Sequence, residues 1–165
     1  MSQEVMIRHD LRPGDLGRVV LQHGELYARE YGFDHRFEAY VAETLAEFAL
    51  GFRPDRDRLW LAELDGELVG SVGILGREDG WAQLRWFLVH PSARGRGLGT
   101  RLVRECLDFC CAAGCRAVFL WTVDPLVEAA RIYERAGFRL TEEKPPAQLW
   151  GQTLREQRYD LIFDG

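Results

Sequence analysis

The segment Leu84-Arg-Trp-Phe-Leu-Val-His-Pro-Ser-Ala-Arg-Gly-Arg-Gly-Leu-Gly-Thr-Arg-Leu-Val-Arg104 divides into three parts with different physics. Leu84, Trp86, Phe87, Leu88 and Val89 form an apolar, aromatic run of strand length. His90-Pro91 ends it, because proline has no N–H for a ladder and restricts the residue before it. Further on, Leu98, Leu102, Cys106 and Cys110 recur at helical spacing, which predicts a helix. Between strand and helix lies Arg94-Gly95-Arg96-Gly97-Leu98-Gly99-Thr100. Glycines let the backbone turn tightly and approach a ligand with no Cβ in the way. The first N–H groups of the helix lack carbonyl partners, and the helix dipole adds about half a positive charge there. Arg94 and Arg96 supply full charges, and Thr100 a hydroxyl. Such a place suits a phosphate or diphosphate. The competing reading is a glycine-rich turn flanked by solvated arginines.

Spacing separates this loop from two other phosphate loops. A P-loop ends in Gly-Lys-Ser/Thr, whereas here Gly99 is followed directly by Thr100. A dinucleotide fingerprint starts right after its strand and spaces its third glycine further on; here Pro91-Ser92-Ala93 intervene and the pattern is Gly-x-Gly-x-Gly.

Working outward, Met6–His9 reads as a short strand, and Leu16–Tyr31 as a helix started at Pro13-Gly14-Asp15 and interrupted at Gly24. A second helix runs to Phe48, capped by Asp34, with Phe37, Tyr40, Val41, Leu45 and Phe48 on its apolar face. Leu59–Leu64 and Leu68–Leu75 are strands joined by the hairpin signal Asp65-Gly66. Trp81–Val89 pairs back after Glu78-Asp79-Gly80. The central helix ends near Ala113 at Gly114, and Ala117–Val123 is the next strand. That strand–helix–strand order implies a right-handed crossover with parallel strands. Asp124-Pro125 opens a helix through Tyr133 to Ala136-Gly137. Phe138–Thr141 and Arg158–Phe163 are strands, separated by a break at Pro145-Pro146. The class is α+β with a mixed sheet, and residues 1–165 read as one domain without repeats or linkers.

The composition agrees. A chain of 165 residues, 47% hydrophobic, can bury a sizeable core. No apolar run approaches the about twenty residues that span a bilayer, and Met1-Ser2-Gln3-Glu4 does not open a signal peptide, so a cytoplasmic protein without a membrane partner is expected. A net charge of −5 argues against a nucleic-acid surface. The first fifty residues hold nine acidic against five basic side chains, a weak pointer to a cationic acceptor. Cys106, Cys110, Cys111 and Cys115 form no C-x-x-C pair and have no histidine nearby, so reduced core cysteines are expected rather than a metal site.

The Arg94-x-x-Gly97-x-Gly99 pattern after a Val-His-Pro strand end resembles the GNAT superfamily of N-acetyltransferases. A second stretch, Glu128-Ala-Ala-Arg-Ile-Tyr-Glu-Arg-Ala-Gly-Phe138, resembles that family's signature of small residues before a tyrosine and Gly-Phe after it. The resemblance implies the GNAT acyl-CoA acyltransferase fold: a mixed central sheet of about six to seven strands, splayed central parallel strands and about four helices. It implies acetyl-CoA as co-substrate, its diphosphate on Arg94, Gly95, Arg96, Gly97, Leu98, Gly99 and Thr100. Its pantetheine would pair with free backbone groups at Phe87, Leu88 and Val89, as an added strand would, and Ala129 leaves it room. Tyr133 becomes the general acid toward the departing thiolate; the bland alternative is a core tyrosine on an amphipathic helix. Leu126 stands where many members carry asparagine.

The acceptor amine must lose a proton before it attacks directly in a ternary complex. Some members use a glutamate on the strand after the central helix, but Phe119-Leu120-Trp121-Thr122 has no acid. Glu30, Tyr31 and His23 are then the candidates around the acceptor, with Arg85 for an acceptor carboxylate; each also reads as an ordinary surface or packing residue. The runs Leu120-Trp-Thr, Tyr133–Lys144 and Leu149–Leu161 look like the acetyltransferase half of two-domain MarR-type regulators, although no basic helix-turn-helix fits here. The family also allows a homodimer. The resemblance implies a small-molecule or peptide amine as the acceptor. The rival class is a non-catalytic acyl-CoA sensor or docking module, and a nucleotide-binding oxidoreductase is more distant.

Overall fold

The computed structural model describes residues 4–164. Residues 1–3, on which the leader expectation partly rests, lie outside them. The order is β1 (Met6–Arg8), α1 (Asp15–Tyr31), α2 (His35–Leu50), β2 (Arg58–Leu64), β3 (Glu67–Gly76), β4 (Trp81–Val89), α3 (Leu98–Ala112), β5 (Ala117–Val123), α4 (Val127–Ala136), β6 (Arg139–Glu143), β7 (Ala147–Leu149), β8 (Gln152–Leu154) and β9 (Glu156–Ile162). Seven strands make one sheet in the order β1-β2-β3-β4-β5-β9-β6, while β7 and β8 form a separate hairpin. The expected mixed sheet and four helices are therefore present, and β4–α3–β5 is the parallel crossover.

Alternation along the strands feeds two cores. Leu59 and Leu61 of β2 face a core built with Val19, Phe37, Val41, Leu45 and Phe48 of α1 and α2. Trp60 and Ala62 face the opposite core, where α3 contributes Leu98, Leu102, Val103, Cys106 and Cys110. Cys106 and Cys110 are thus the apolar fillers expected of them, whereas Cys111 is exposed and Cys115 half-buried.

Where β4 meets its neighbours, the sheet opens. β4 and β5 pair only at Trp81–Ala117, Ala82–Val118 and Gln83–Phe119; beyond Gln83 they part. On the other edge, Gly73 pairs with Arg85 and Ser71 with Leu88, so Trp86 and Phe87 together oppose the single residue Val72. This bulge bends β4 away from β5. Trp86 sits at φ 52°, a left-handed conformation uncommon for a bulky residue. It is held by Ser71, whose Oγ donates to the Trp86 carbonyl at 2.7 Å. It also needs Gly73 beneath it: a Cβ there would lie 2.6 Å from Trp86 Cε3.

Four local expectations are corrected. Helix α1 runs unbroken through Gly24, where Glu38 of α2 occupies the space a Cβ would take. Helix α4 begins at Val127, not at Asp124-Pro125. Asp124 is tied to the next segment instead, its N–H donating to the Arg155 carbonyl at 3.1 Å and its carboxylate accepting from the Arg155 N–H at 2.9 Å. The last strand starts at Glu156 rather than Arg158. The β7–β8 hairpin was not expected; its turn places Trp150 at φ 51° and Gly151 at φ 83°.

Candidate active site

The parting of β4 and β5 leaves a passage with a cavity on each side. One, about 380 Å³, runs along the loop after β4 and the start of α3 to α4. The other, about 300 Å³, lies beneath α1, α2 and the β7–β8 hairpin. Tyr27, Phe87 and Leu126 line both, so the two cavities adjoin at these three residues.

The loop cavity is built around bare amides. After the Arg94 N–H donates to Pro91, the next backbone donor with an acceptor is Arg101, bonded to the Gly97 carbonyl. The N–H groups of Gly95, Arg96, Gly97, Leu98, Gly99 and Thr100 thus find no acceptor among the described residues, and no side chain caps α3. Gly95 and Gly97 hold φ of 78° and 76° with open space where a Cβ would stand. Gly99 serves packing: a Cβ there would lie 2.7 Å from Ile132 of α4 and 3.2 Å from Phe87. Leu98 contributes only its N–H, since its side chain is buried in the core. Arg131, Arg135 and Ala129 of α4 face this cavity too. Unpaired amides at a helix N-terminus beside arginines fit a diphosphate, and the small Ala129 fits a slender chain leading from it.

Other expected residues are differently employed. Arg94 is not a free cation: it donates to Glu30 at 2.7 Å and to the Val89 carbonyl at 3.1 Å. Glu30, the candidate base, and Tyr31 consequently belong to the loop cavity and not to the second one. The backbone groups expected to be free on β4 have neighbours of their own. The Phe87 carbonyl accepts from the Tyr27 hydroxyl at 3.2 Å and the Val89 carbonyl from Arg94, so two of the β4 carbonyls already have partners.

The second cavity is walled by aromatic rings. Tyr27 stacks on Phe37 with centroids 4.8 Å apart, and Trp150 packs edge-on to Phe37 at the same separation. Tyr133 borders this cavity, 5.6 Å from Phe87 between ring centroids, and its hydroxyl has no hydrogen-bond partner among the described residues. Burial raises its pKa well above the usual 10.0, so the phenol keeps its proton. His23 is buried, and its Nδ1 lies 2.8 Å from the Val19 carbonyl. A carbonyl can only accept, so Nδ1 carries the hydrogen and Nε2 the lone pair, which has no partner among the described residues. Burial lowers its pKa to about 4, leaving the ring neutral. Arg85 lines the same cavity.

One acid reaches this cavity that sequence reasoning missed. Glu156 of β9 pairs in register with Val123 at the end of β5. It supplies, from a neighbouring strand, the carboxylate that β5 itself lacks. Only the antiparallel register of β9 on β5 reveals it, and no local motif carries that information. Among the described residues no cluster of three or more His, Cys, Asp or Glu could hold a metal ion.

Comparison with known proteins agrees with this architecture. The chain is 30% identical over 144 residues to "Probable N-acetyltransferase camello" of Xenopus laevis, covering 79% of this chain and 65% of that protein. It is 33% identical over 102 residues to N-acetylaspartate synthetase of Danio rerio, covering 61% and 36%. It therefore spans less than two thirds of the length of these curated relatives. The fold is shared with yncA from Salmonella typhimurium, solved with its cofactor acetyl-CoA: 19% identity, 97% and 94% coverage, TM-score 0.72. These likenesses do not extend to the narrower MarR-type grouping. The model of the Acetyltransferase (GNAT) family matches residues 24–138, and the chain belongs to that family.

Proposed function

We propose that this chain is an acetyl-CoA-dependent N-acetyltransferase, one domain working in the cytoplasm on a primary amine of a small molecule or peptide. The observation that carries the reading is the row of six unclaimed amides opening on a cavity that meets a second one at Tyr27, Phe87 and Leu126. Family membership and the names of the relatives support it.

Acetyl-CoA, when bound, supplies the acetyl group as a thioester. The amides of Gly95 to Thr100 hold its diphosphate, with Arg135 adding charge, while Arg131 is already paired with Glu128 at 2.8 Å. Ala129 would leave room for the coenzyme's slender chain in the cavity that it shares with Phe87. The acceptor comes from the aromatic side, past Arg85 and His23. Its ammonium gives one proton to Glu156, freeing the lone pair that attacks. As the C–N bond forms and the C–S bond breaks, Tyr133 would give its hydroxyl proton to the departing thiolate and regain one, through solvent, from the nitrogen of the new amide, while Glu156 would release its proton to solvent. Glu30 acts here through Arg94, orienting the loop rather than the amine.

Calorimetry with acetyl-CoA, together with thiol release across a panel of amines and peptides, tests the reading. Saturable binding and amine-dependent release are expected. Binding without turnover on a broad panel favours the sensor reading, and absence of binding removes both.

A further inference from the structure

The aromatic cavity holds two charged side chains, Arg85 and Glu156, with no ion-pair partner among the described residues. Arg85, just before the bulge of β4, donates to the Tyr40 hydroxyl at 2.5 Å. Its guanidinium lies over the rings of Tyr40 and Trp86, 5.4 and 5.3 Å from their centroids. No carboxylate among the described residues stands within ion-pair distance of it. Glu47 acts on it only from further off, and burial is the largest influence on its pKa, lowering it. A half-buried guanidinium with no carboxylate beside it is available to an anion, and its planar fork of donors matches a carboxylate. Glu156, on the β5–β9 side, is half-buried with no hydrogen bond or ion pair of its carboxylate among the described residues. Phe33, Phe37 and Trp150 make the remaining surface apolar, within a volume of about 300 Å³ that suits a small molecule.

We propose that the acceptor is a zwitterionic small molecule, an α-amino acid with a bulky apolar side chain. Its carboxylate docks on Arg85, its side chain fills the aromatic walls, and its ammonium turns toward Glu156. A polyamine would set a second cation against Arg85 with nothing to offset it. This assignment rests on the acetyl-transfer reading above and narrows it to one acceptor class.

The test compares thiol release from acetyl-CoA with L-phenylalanine and L-leucine against phenethylamine, phenylalaninamide and spermidine. L-Phenylalanine should exceed phenethylamine and phenylalaninamide in kcat/KM on the order of 30-fold, the scale of a charge-assisted hydrogen bond. Arg85→Met should collapse that ratio toward one, and Arg85→Lys should keep part of it. Calorimetry with acetyl-CoA on each variant, where an unchanged Kd is expected, separates lost recognition from lost folding. Equal or better use of phenethylamine or spermidine overturns the proposal, as does a ratio that survives Arg85→Met. Acetyl-CoA binding with no amino acid turned over also overturns it while leaving the cofactor cavity intact. A protein that does not bind acetyl-CoA removes the underlying reading instead.

Discussion

At Tyr133 and His23, burial acts on two ionisable groups with opposite consequences. The Tyr133 phenol is held protonated past its ordinary 10.0, so the proton that the proposed mechanism asks of it stays available through neutral and mildly alkaline solution. Removing it in Tyr133→Phe should lower kcat by about 100-fold, at the lower end for a general acid, with acetyl-CoA affinity unchanged. The wild-type rate should show no alkaline loss from this group below pH 10, which a pH profile of thiol release checks. His23 is held neutral. Its folded pKa of about 4 lies below the ordinary 6.5, so acid adds a proton to the unfolded chain before the folded one. The stability this group contributes is fully present above pH 6.5 and is lost as pH falls toward 4, about 3 kcal/mol in all. Urea midpoints measured across that window should fall with acid in the wild type. In His23→Leu the slope should lessen by about one proton.

Among the elements, β4 with its bulge gives the site its shape. The left-handed Trp86 depends on the Ser71 hydroxyl and on the bare face of Gly73. Gly73→Ala should push against the rigid indole and destabilise the fold by about 1–3 kcal/mol. Because the indole shares its strand with Phe87, turnover should suffer beyond what the unfolded fraction explains; urea unfolding and thiol release on the same sample decide this. The strand, loop and helix from Trp81 to Ala112 were legible because their signals are local: an apolar run, a proline stop, and glycines ahead of helical spacing. The β7–β8 hairpin was not, because its turn begins at Trp150 in a conformation that asparagine or glycine usually advertises. Only packing on Phe33, Phe37 and Tyr40 explains a tryptophan there.

Across the whole molecule, a buried ionic network fastens the first strand and helix to the sheet. Asp15 accepts from Arg8 at 2.7 Å and Arg18 at 2.8 Å, and Arg8 also pairs with Glu63 of β2. Asp15 is buried, and the hydrogen bonds from Arg8 and Arg18 outweigh its desolvation and hold its carboxyl well below the carboxylate range. Asp15→Asn should leave Arg8 undercompensated and lower the urea-derived stability by about 3 kcal/mol. The same scale explains what the sequence could not disclose. The loop cavity, proposed for the coenzyme, comes largely from one continuous stretch. The aromatic cavity, proposed for the acceptor, is assembled from α1, α2, β4, β5, β9 and the hairpin, so Glu156, Arg85 and Trp150 line one space only after the sheet has formed. Finally, hydrogens on the backbone nitrogens of Gly95 to Thr100 have no acceptor among the described residues to protect them. They should trade for deuterium almost as fast as in a free peptide, then slow sharply once a coenzyme settles over them. Mass-spectrometric exchange on that one peptide would thus report occupancy directly, with no acceptor in the tube.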